Sequence, residues 1–330
     1  MSSWKDESPH WKQTAEELKD KLKKDYQQLA LGLLKYNQAA GCIARSYFGK
    51  LIIQGDGYDV YHYGDERRPP MLCIPSLINQ AYIMDLHERS SFMQKASSMG
   101  FSAYLIAWHD INLTAAYKDY GIDDYINIVL VPLIQNLAAK HRHPITLVGY
   151  CFGGILAALA SNKIKNEIIK KLIMLATPWD FSMLPFAHLT KATLTSWQHI
   201  FNNYPYIPSF FLQALFYWQD VFFTYHKFQK LGRNEIDLTN FTLIENWVND
   251  GINMSKKLFF DCLEGLIYNN NLVNNKLSLK IPVTSILATH DKLVPVASGT
   301  AIQNSLPQAK IITIPGGHLA PVFSGVAHCK

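Results

Sequence analysis

Residues 145–163 read ITLVGYCFGGILAALASNK. Ile145, Thr146, Leu147 and Val148 run into Gly149, the chain passes Tyr150-Cys151-Phe152, and Gly153-Gly154 opens an alanine- and leucine-rich stretch. A short apolar run that turns at once into a helix is the signature of a strand buried on both faces of a parallel sheet. Reading outward, 71–75, 102–108, 172–176, 282–288 and 310–314 are further buried strands, and 51–53 with 58–63 form a hairpin around Gly55-Asp56-Gly57. Between them, 80–99, 122–140 and 153–163 are predicted helices. Strands and helices that alternate in this way predict an α/β fold, a mostly parallel sheet with helices on both faces.

The alternation stops at Pro178 and resumes near Lys280. The intervening stretch carries Trp197, Phe201, Tyr204, Tyr206, Phe210, Phe211, Phe216, Tyr217, Trp218, Phe222, Phe223, Tyr225 and Phe228. It reads as a mainly helical cap inserted in the core, its aromatics either cap core or an apolar binding surface. The expected organisation is an N-terminal amphipathic helical segment (1–45), a first core segment (46–177), the cap (178–279) and a second core segment (280–330). In 12–36 the stripe Leu18, Leu22, Tyr26, Leu29 and Leu33 has helical spacing and should pack on the protein's own core, with a partner helix or a granule surface as alternatives.

Composition narrows the field. Hydrophobic residues make up 48% of the 330 and charged residues 17%, so a large core is available and disorder as the main theme is excluded. The net charge of +5 is spread thinly, with no stripe suited to nucleic acid. Cys42, Cys73, Cys151, Cys262 and Cys329 are scattered, without the paired spacing of a zinc or redox site. The start MSSWKDESPHWKQ lacks the apolar region of a secretory signal. The longest uncharged stretch, 192–219, is broken by Asn202, Asn203, Pro205 and Pro208, so no transmembrane segment is expected. The reading is a reduced, cytoplasmic chain.

Gly149-Tyr150-Cys151-Phe152-Gly153 is the nucleophile-elbow pattern of the α/β-hydrolase fold with cysteine in the serine position. Small residues on either side allow a strained turn that lifts the sulfur above the sheet edge. There a helix N-terminus favours thiolate. The Phe152 N–H would point at a developing oxyanion. A buried structural cysteine beside an ordinary turn is the competing reading. In elbow enzymes the acid and then the histidine follow the nucleophile. Asp291 follows strand 282–288 and His318 follows strand 310–314, the order and placement a Cys151–Asp291–His318 triad requires. The second oxyanion donor is expected from Pro75-Ser76-Leu77-Ile78-Asn79, at Leu77 or Ile78. His290 should turn away, His141 and His143 should lie at the opposite end of the elbow strand, and His109 with Asp110 could line the site mouth.

These residues resemble the polyhydroxyalkanoate synthases, whose lipase-like box carries cysteine. The resemblance runs through GYCFGG (149–154), MLCIPSLINQAYIMDL (71–86), DDYINI (123–128), ATPWDFS (176–182), ENW (245–247), HDKLVP (290–295) and PGGHLAPVFSG (315–325), most of 50–325 in matching order. It implies Cys151 as nucleophile, His318 as base and Asp291 as acid or as activator of the substrate hydroxyl. Trp247 matches a cap tryptophan, and Asn79 joins it as a candidate beside substrate or cap. The implied activity is an acyltransferase that polymerises (R)-3-hydroxyacyl-CoA, foremost 3-hydroxybutyryl-CoA, and releases CoA. No cofactor or metal is implied beyond the CoA thioester as substrate. The implied partners are the growing polyester, a second copy in a homodimer, a second synthase subunit and the polymer granule surface. This sequence departs from the family in its shorter length, in ending soon after His318, in Lys292 where histidine is common, and in Ser76 where a second proline is common. A thioesterase or esterase on the same scaffold, and a non-catalytic granule- or partner-binding paralogue, are the alternatives.

Overall fold

The computed structural model describes residues 9–41, 47–113, 116–184, 187, 190–217, 221–274 and 277–324. Cys42, Trp218 and Cys329 lie outside the described residues. The chain divides into two compact units, Met1–Arg45 with Tyr217–Asn249, and Ser46–Phe216 with Asp250–Lys330.

In the larger unit eight strands form one sheet in the order β1-β2-β4-β3-β5-β6-β7-β8. They span Lys50–Gly55, Tyr58–Tyr63, Pro70–Ile74, Ser102–Trp108, Ile145–Tyr150, Ile169–Leu175, Val283–Ala288 and Lys310–Ile314. The β1–β2 hairpin turns at Asp56-Gly57 and β2 meets β4 antiparallel, while all other pairings are parallel. The apolar runs read from the sequence are these strands, because a parallel strand covered on both faces has no polar side to show. Every residue of β3 and β4 is buried, and on both faces of β3 Met71, Leu72, Cys73 and Ile74 are without solvent contact. Helices Val131–His141 and Phe152–Lys163 flank the elbow strand β5 in sequence.

One helix reading needs correction and another holds with a local irregularity. Residues 80–99 are not one helix: turns at Ala81–Met84 and Glu88–Ser90 precede a short helix, Phe92–Ser98. The buried Asp85 carboxylate breaks it. It accepts from the Phe48 N–H (2.7 Å), the Tyr63 hydroxyl (2.6 Å) and the Ser91 hydroxyl (2.5 Å), and Ser91 in turn caps the short helix through the Gln94 N–H. A carboxylate taken out of water needs such partners, and they outweigh local helix propensity. Residues 122–141 are helical throughout, but 125–130 widen to i→i+5 bonding just before Pro132.

The smaller unit is built from Pro9–Ala40, Val221–Gly232 and Leu238–Val248. The leucine stripe of the first helix is not its packing face: Leu18, Leu22 and Tyr26 are 55%, 58% and 70% exposed. The neighbouring face packs instead, through a close backbone crossing. A Cβ on Gly32 would sit 1.9 Å from the Phe228 carbonyl oxygen, and one on Gly232 2.0 Å from that of Gln28. Lys35 Nζ reaches the Leu231 carbonyl (3.3 Å) and the Gly232 carbonyl (3.4 Å), a cation placed at the negative end of a helix. Tyr36 lies edge-on to Phe228 and Phe241, and Lys227 pairs with the buried Glu245 at 2.7 Å. Among the described residues no helix is long and apolar enough to cross a membrane.

Candidate active site

Sheet order gathers the site. Strands β5, β6, β7 and β8 are adjacent and parallel, so the residues that follow β5, β7 and β8 emerge at the same edge. Cys151, Asp291 and His318 are those residues.

Cys151 stands between the strand and the helix Phe152–Lys163 with φ 52° and ψ −121°. A side chain other than glycine at positive φ is strained, and here the turn around it holds it there. A Cβ on Gly149 would lie 2.3 Å from the Gly154 Cα, and one on Gly153 2.0 Å from the Ile74 carbonyl oxygen. Those two positions must therefore be glycine, as the pattern implies. The Cys151 N–H donates to the Leu175 carbonyl at 2.8 Å, which pins the turn to β6. The thiol is free and half-buried.

His318 Nδ1 lies 2.7 Å from Asp291 Oδ2. The other carboxylate oxygen, Oδ1, accepts the N–H groups of Leu293 and Val294, each at 2.9 Å. Asp291 is thus held by its own turn and cannot swing, and its side chain is 1% exposed. With Nδ1–H directed at the acid, the remaining ring nitrogen is left for the nucleophile. Burial pushes the imidazolium down, but the charges of Cys151 and Asp291 and the hydrogen bond to Asp291 outweigh it. His318 is pushed up to about 10. A sulfur and a carboxylate together thus favour the charged form of the ring.

Tyr150 escapes the sequence reading. Its ring is 5.4 Å from that of His318, and its buried hydroxyl has no hydrogen-bond partner. Burial first, then the charges of Cys151 and Asp291, hold the phenol well above its ordinary range. No local signal reveals the contact, because it depends on how β5 and β8 sit across two intervening strands.

The early loop follows β3. Ile78 N–H donates to Ser76 Oγ at 3.3 Å, and Trp108 Nε1 donates to the Pro75 carbonyl at 3.4 Å. Of the two expected oxyanion donors, Ile78 is therefore already engaged within its loop. Asn79 forms an antiparallel bridge with Gly251. Trp247 belongs to the helix Leu238–Val248 of the smaller unit, where it is buried. His290 is exposed beside Thr289. His109 turns to Asp59 at 3.2 Å, and Asp110 turns the other way, to Asn253. His141 lies beyond the opposite end of β5, against the Tyr104 hydroxyl at 2.7 Å. Among the described residues no group of three or more His, Cys, Asp or Glu side chains is arranged to hold a metal ion.

Comparison with known proteins agrees with the fold. Residues 99–324 match the alpha/beta hydrolase fold family. The chain is 26% identical to the poly(3-hydroxyalkanoate) polymerase subunit PhaC of Haloferax mediterranei, over 78% of this chain and 56% of that protein. It is 24% identical to the subunit of the same name from Haloarcula marismortui, over 78% of this chain and 58% of that one. For the Thiocystis violacea subunit the values are 25%, 79% and 78%. The chain thus spans somewhat over half the length of the two haloarchaeal relatives. Among solved structures, a thioesterase domain from the curacin biosynthetic pathway aligns over 86% of this chain and 97% of its own, with a TM-score of 0.55 at 16% identity. At that identity the likeness speaks for the fold alone.

Proposed function

The chain belongs to the alpha/beta hydrolase fold family, and from that premise we propose that it is a cysteine-dependent acyltransferase that polymerises (R)-3-hydroxyacyl-CoA. The observation that carries the reading is the strained Cys151 at a helix N-terminus, on the same sheet edge as a histidine that a buried aspartate orients and whose pKa the sulfur raises. The similarity to polymerase subunits over most of the chain supplies the substrate class.

Cysteine suits this substrate. The Cys151 sulfur attacks the thioester carbonyl, the new C–S bond forms, and the old one breaks to release CoA with the proton held on His318. One thioester replaces another at nearly equal free energy. The hydroxyl of another unit then attacks the acyl-enzyme and passes its proton to His318. An oxygen ester forms, and the sulfur leaves as thiolate. Asp291 keeps the imidazole in the tautomer both steps need. The N–H of Phe152, with that of Leu77, is the proposed oxyanion hole. On the same reading a second copy, a second synthase subunit and a polymer granule surface are its partners, and no cofactor beyond the CoA substrate takes part.

The test is CoA release from (R)-3-hydroxybutyryl-CoA by the wild type and by Cys151→Ser, with the product analysed for polyester and free acid. The expected result is CoA release accompanied by polymer, lost in the variant. Release yielding free acid alone would replace polymerisation by thioester hydrolysis on the same dyad. Release that persists in Cys151→Ala, assayed alongside because it leaves no nucleophile at the elbow, would overturn the assignment of the nucleophile.

A further inference from the structure

The loop proposed to supply the second oxyanion donor is not free-standing. The Ile252 N–H donates to the Ile78 carbonyl at 2.8 Å, the Gln80 N–H reaches the Asp250 carbonyl at 3.4 Å, and Asn79 bridges Gly251 between them. Residues 250–252 thus lie along 78–80 as a minimal antiparallel strand. The same segment continues to Met254, which exchanges both backbone hydrogen bonds with Ile207, at 2.8 and 3.0 Å. At Ser255 it is tied to the Tyr120 carbonyl. One side-chain pair fixes its height. Asp110, two residues past the end of β4, accepts from the Asn253 N–H at 3.1 Å and from Asn253 Nδ2 at 3.1 and 2.9 Å, while Asn253 Oδ1 accepts the Ser209 N–H at 2.8 Å. Asp110 Oδ1 also takes the Asn112 N–H at 2.8 Å, which holds the carboxylate on its own turn.

A two-rung bridge is too short to hold register by itself, and the bonds of Met254 to Ile207 and of Ser255 to Tyr120 fix only the far end of the segment. The charged carboxylate contributes the strong, directional bonds, and it is anchored to the central sheet through β4. We infer that Asp110 and Asn253 form a latch that sets the register of 250–252 against 78–80 and thereby positions the oxyanion loop. They are positioning residues: neither has to touch substrate. The inference rests on the reading of the site given above, in which Leu77 and Phe152 stabilise the developing oxyanion. It also accounts for the Asp that sequence reading placed at the site mouth.

The geometry dictates a discriminating set of variants. Asn253→Asp sets a carboxylate against Asp110 and opens the latch. Adding Asp110→Asn removes the repulsion and lets the new amide at position 110 donate to the new carboxylate, with the Ser209 N–H still accepted. The single oxygen of that amide serves only one of the two backbone N–H groups, of residues 112 and 253, that Asp110 satisfies. Three readouts are taken on each protein: kcat and KM for thioester turnover, iodoacetamide labelling of Cys151 followed by peptide mass, and amide hydrogen exchange over 77–80. Asn253→Asp should lower kcat by roughly 10- to 100-fold, the scale expected when an oxyanion donor is displaced by a fraction of an ångström to an ångström, with KM changed by less than about threefold. Cys151 labelling should be unchanged, because the Cys151–His318–Asp291 set is not touched. Exchange over 77–80 should rise tenfold or more, and the double variant, which relieves the repulsion but leaves one backbone N–H without its acceptor, should recover part of both losses. Unchanged exchange in Asn253→Asp would overturn the latch. Faster exchange with unaltered kcat would overturn its role in catalysis, as would a loss of kcat that the double variant does not recover. A wild type that is labelled at Cys151 but turns over no thioester would instead sink the functional reading, and exchange alone would then decide for or against the latch.

Discussion

Two buried histidine networks sit at opposite ends of the same sheet, and they are tuned in opposite directions. At the elbow edge His318 faces Asp291 and Cys151 and is pushed up to about 10. At the other edge His62 Nε2 meets Ser102 Oγ at 2.9 Å, Ser102 Oγ approaches the Tyr104 hydroxyl at 3.4 Å, and that hydroxyl meets His141 Nε2 at 2.7 Å. Both of these histidines are held below their ordinary value, by burial first. For His62 the charge of Lys140 adds to this and Glu66 opposes it, with His141 and Lys50 also lowering it. For His141 Lys140 and His143 lower it, while Glu66 and a hydrogen bond to the Arg68 backbone oppose. His62 is buried and His141 and His318 are half-buried, so burial alone does not distinguish them. The partner does: a carboxylate and a sulfur favour the charged ring, whereas hydroxyls can chain to a neutral ring at no charge cost. The difference separates a ring whose neighbours favour its charged form from two whose surroundings favour the neutral one.

Removing the sulfur breaks the comparison most severely. In Cys151→Ala His318 loses the neighbour that raises it most, and its titration, followed by NMR of the imidazole carbons, should fall from about 10 toward the ordinary 6.5. Acyl transfer should drop by something on the order of 10⁶, as for a nucleophile removed from a cooperative unit. A folded value above the unfolded one contributes stability that is complete below 6.5 and lost as pH climbs through about 10, so this variant should also flatten the alkaline limb of the stability curve. A His318 that still titrates near 10 without the sulfur would show that Asp291 alone sets it. The next largest effect belongs to Asp291→Asn. The amide can keep the turn contacts to Leu293 and Val294, but it offers an N–H where Nδ1 needs an acceptor. The ring would then carry its proton on the nitrogen facing Cys151, and transfer should fall about 10⁴-fold with the fold intact. Retained activity would mean that the acid is not what orients the ring.

Much of this is legible in the amino-acid sequence alone. Gly149 and Gly153 announce a turn that only glycine fits, and the structure shows the backbone atoms a side chain would strike. The positions of Asp291 and His318 are readable because a parallel sheet delivers the residue after each strand to one edge, so chain order becomes proximity. Where local pattern meets a long-range contact, it fails. The helix expected over 80–99 breaks at Asp85, whose partners Phe48 and Tyr63 lie on other segments. The leucine stripe of the first helix reads as a packing face, yet backbone proximity at Gly32 and Gly232 governs the crossing, and a lone glycine carries no periodicity. Tyr150 beside His318, and Asn253 beside Asp110, depend on register between distant strands and loops, which sequence spacing does not encode.

The smallest expected effect sharpens the comparison from its quiet end. In the basal chain each hydrogen has one direction available: His62 Nε2–H to Ser102, the Ser102 hydroxyl to Tyr104, the Tyr104 hydroxyl to His141 Nε2, and the far side of His141 to the Arg68 backbone. That order requires His141 to accept at Nε2, which a protonated ring cannot do. A folded value below the unfolded 6.5 contributes stability that is present above 6.5 and lost as pH falls past it, because the unfolded chain takes up the protons first. Chemical denaturation between pH 7.5 and 5.5 should therefore show the wild type losing stability on the acid side. Tyr104→Phe leaves the Ser102 hydroxyl and His141 Nε2 without their middle link, a cost of about 1–3 kcal/mol at pH 7.5. With no hydroxyl to accept, His141 takes a proton more readily, so the acid slope of the variant should be shallower than that of the wild type. Turnover should not change, since Tyr104 lies at the edge of the sheet away from Cys151. Coincident slopes would mean that burial alone keeps His141 neutral, and a loss of turnover without a loss of stability would mean that the two ends of the sheet are coupled.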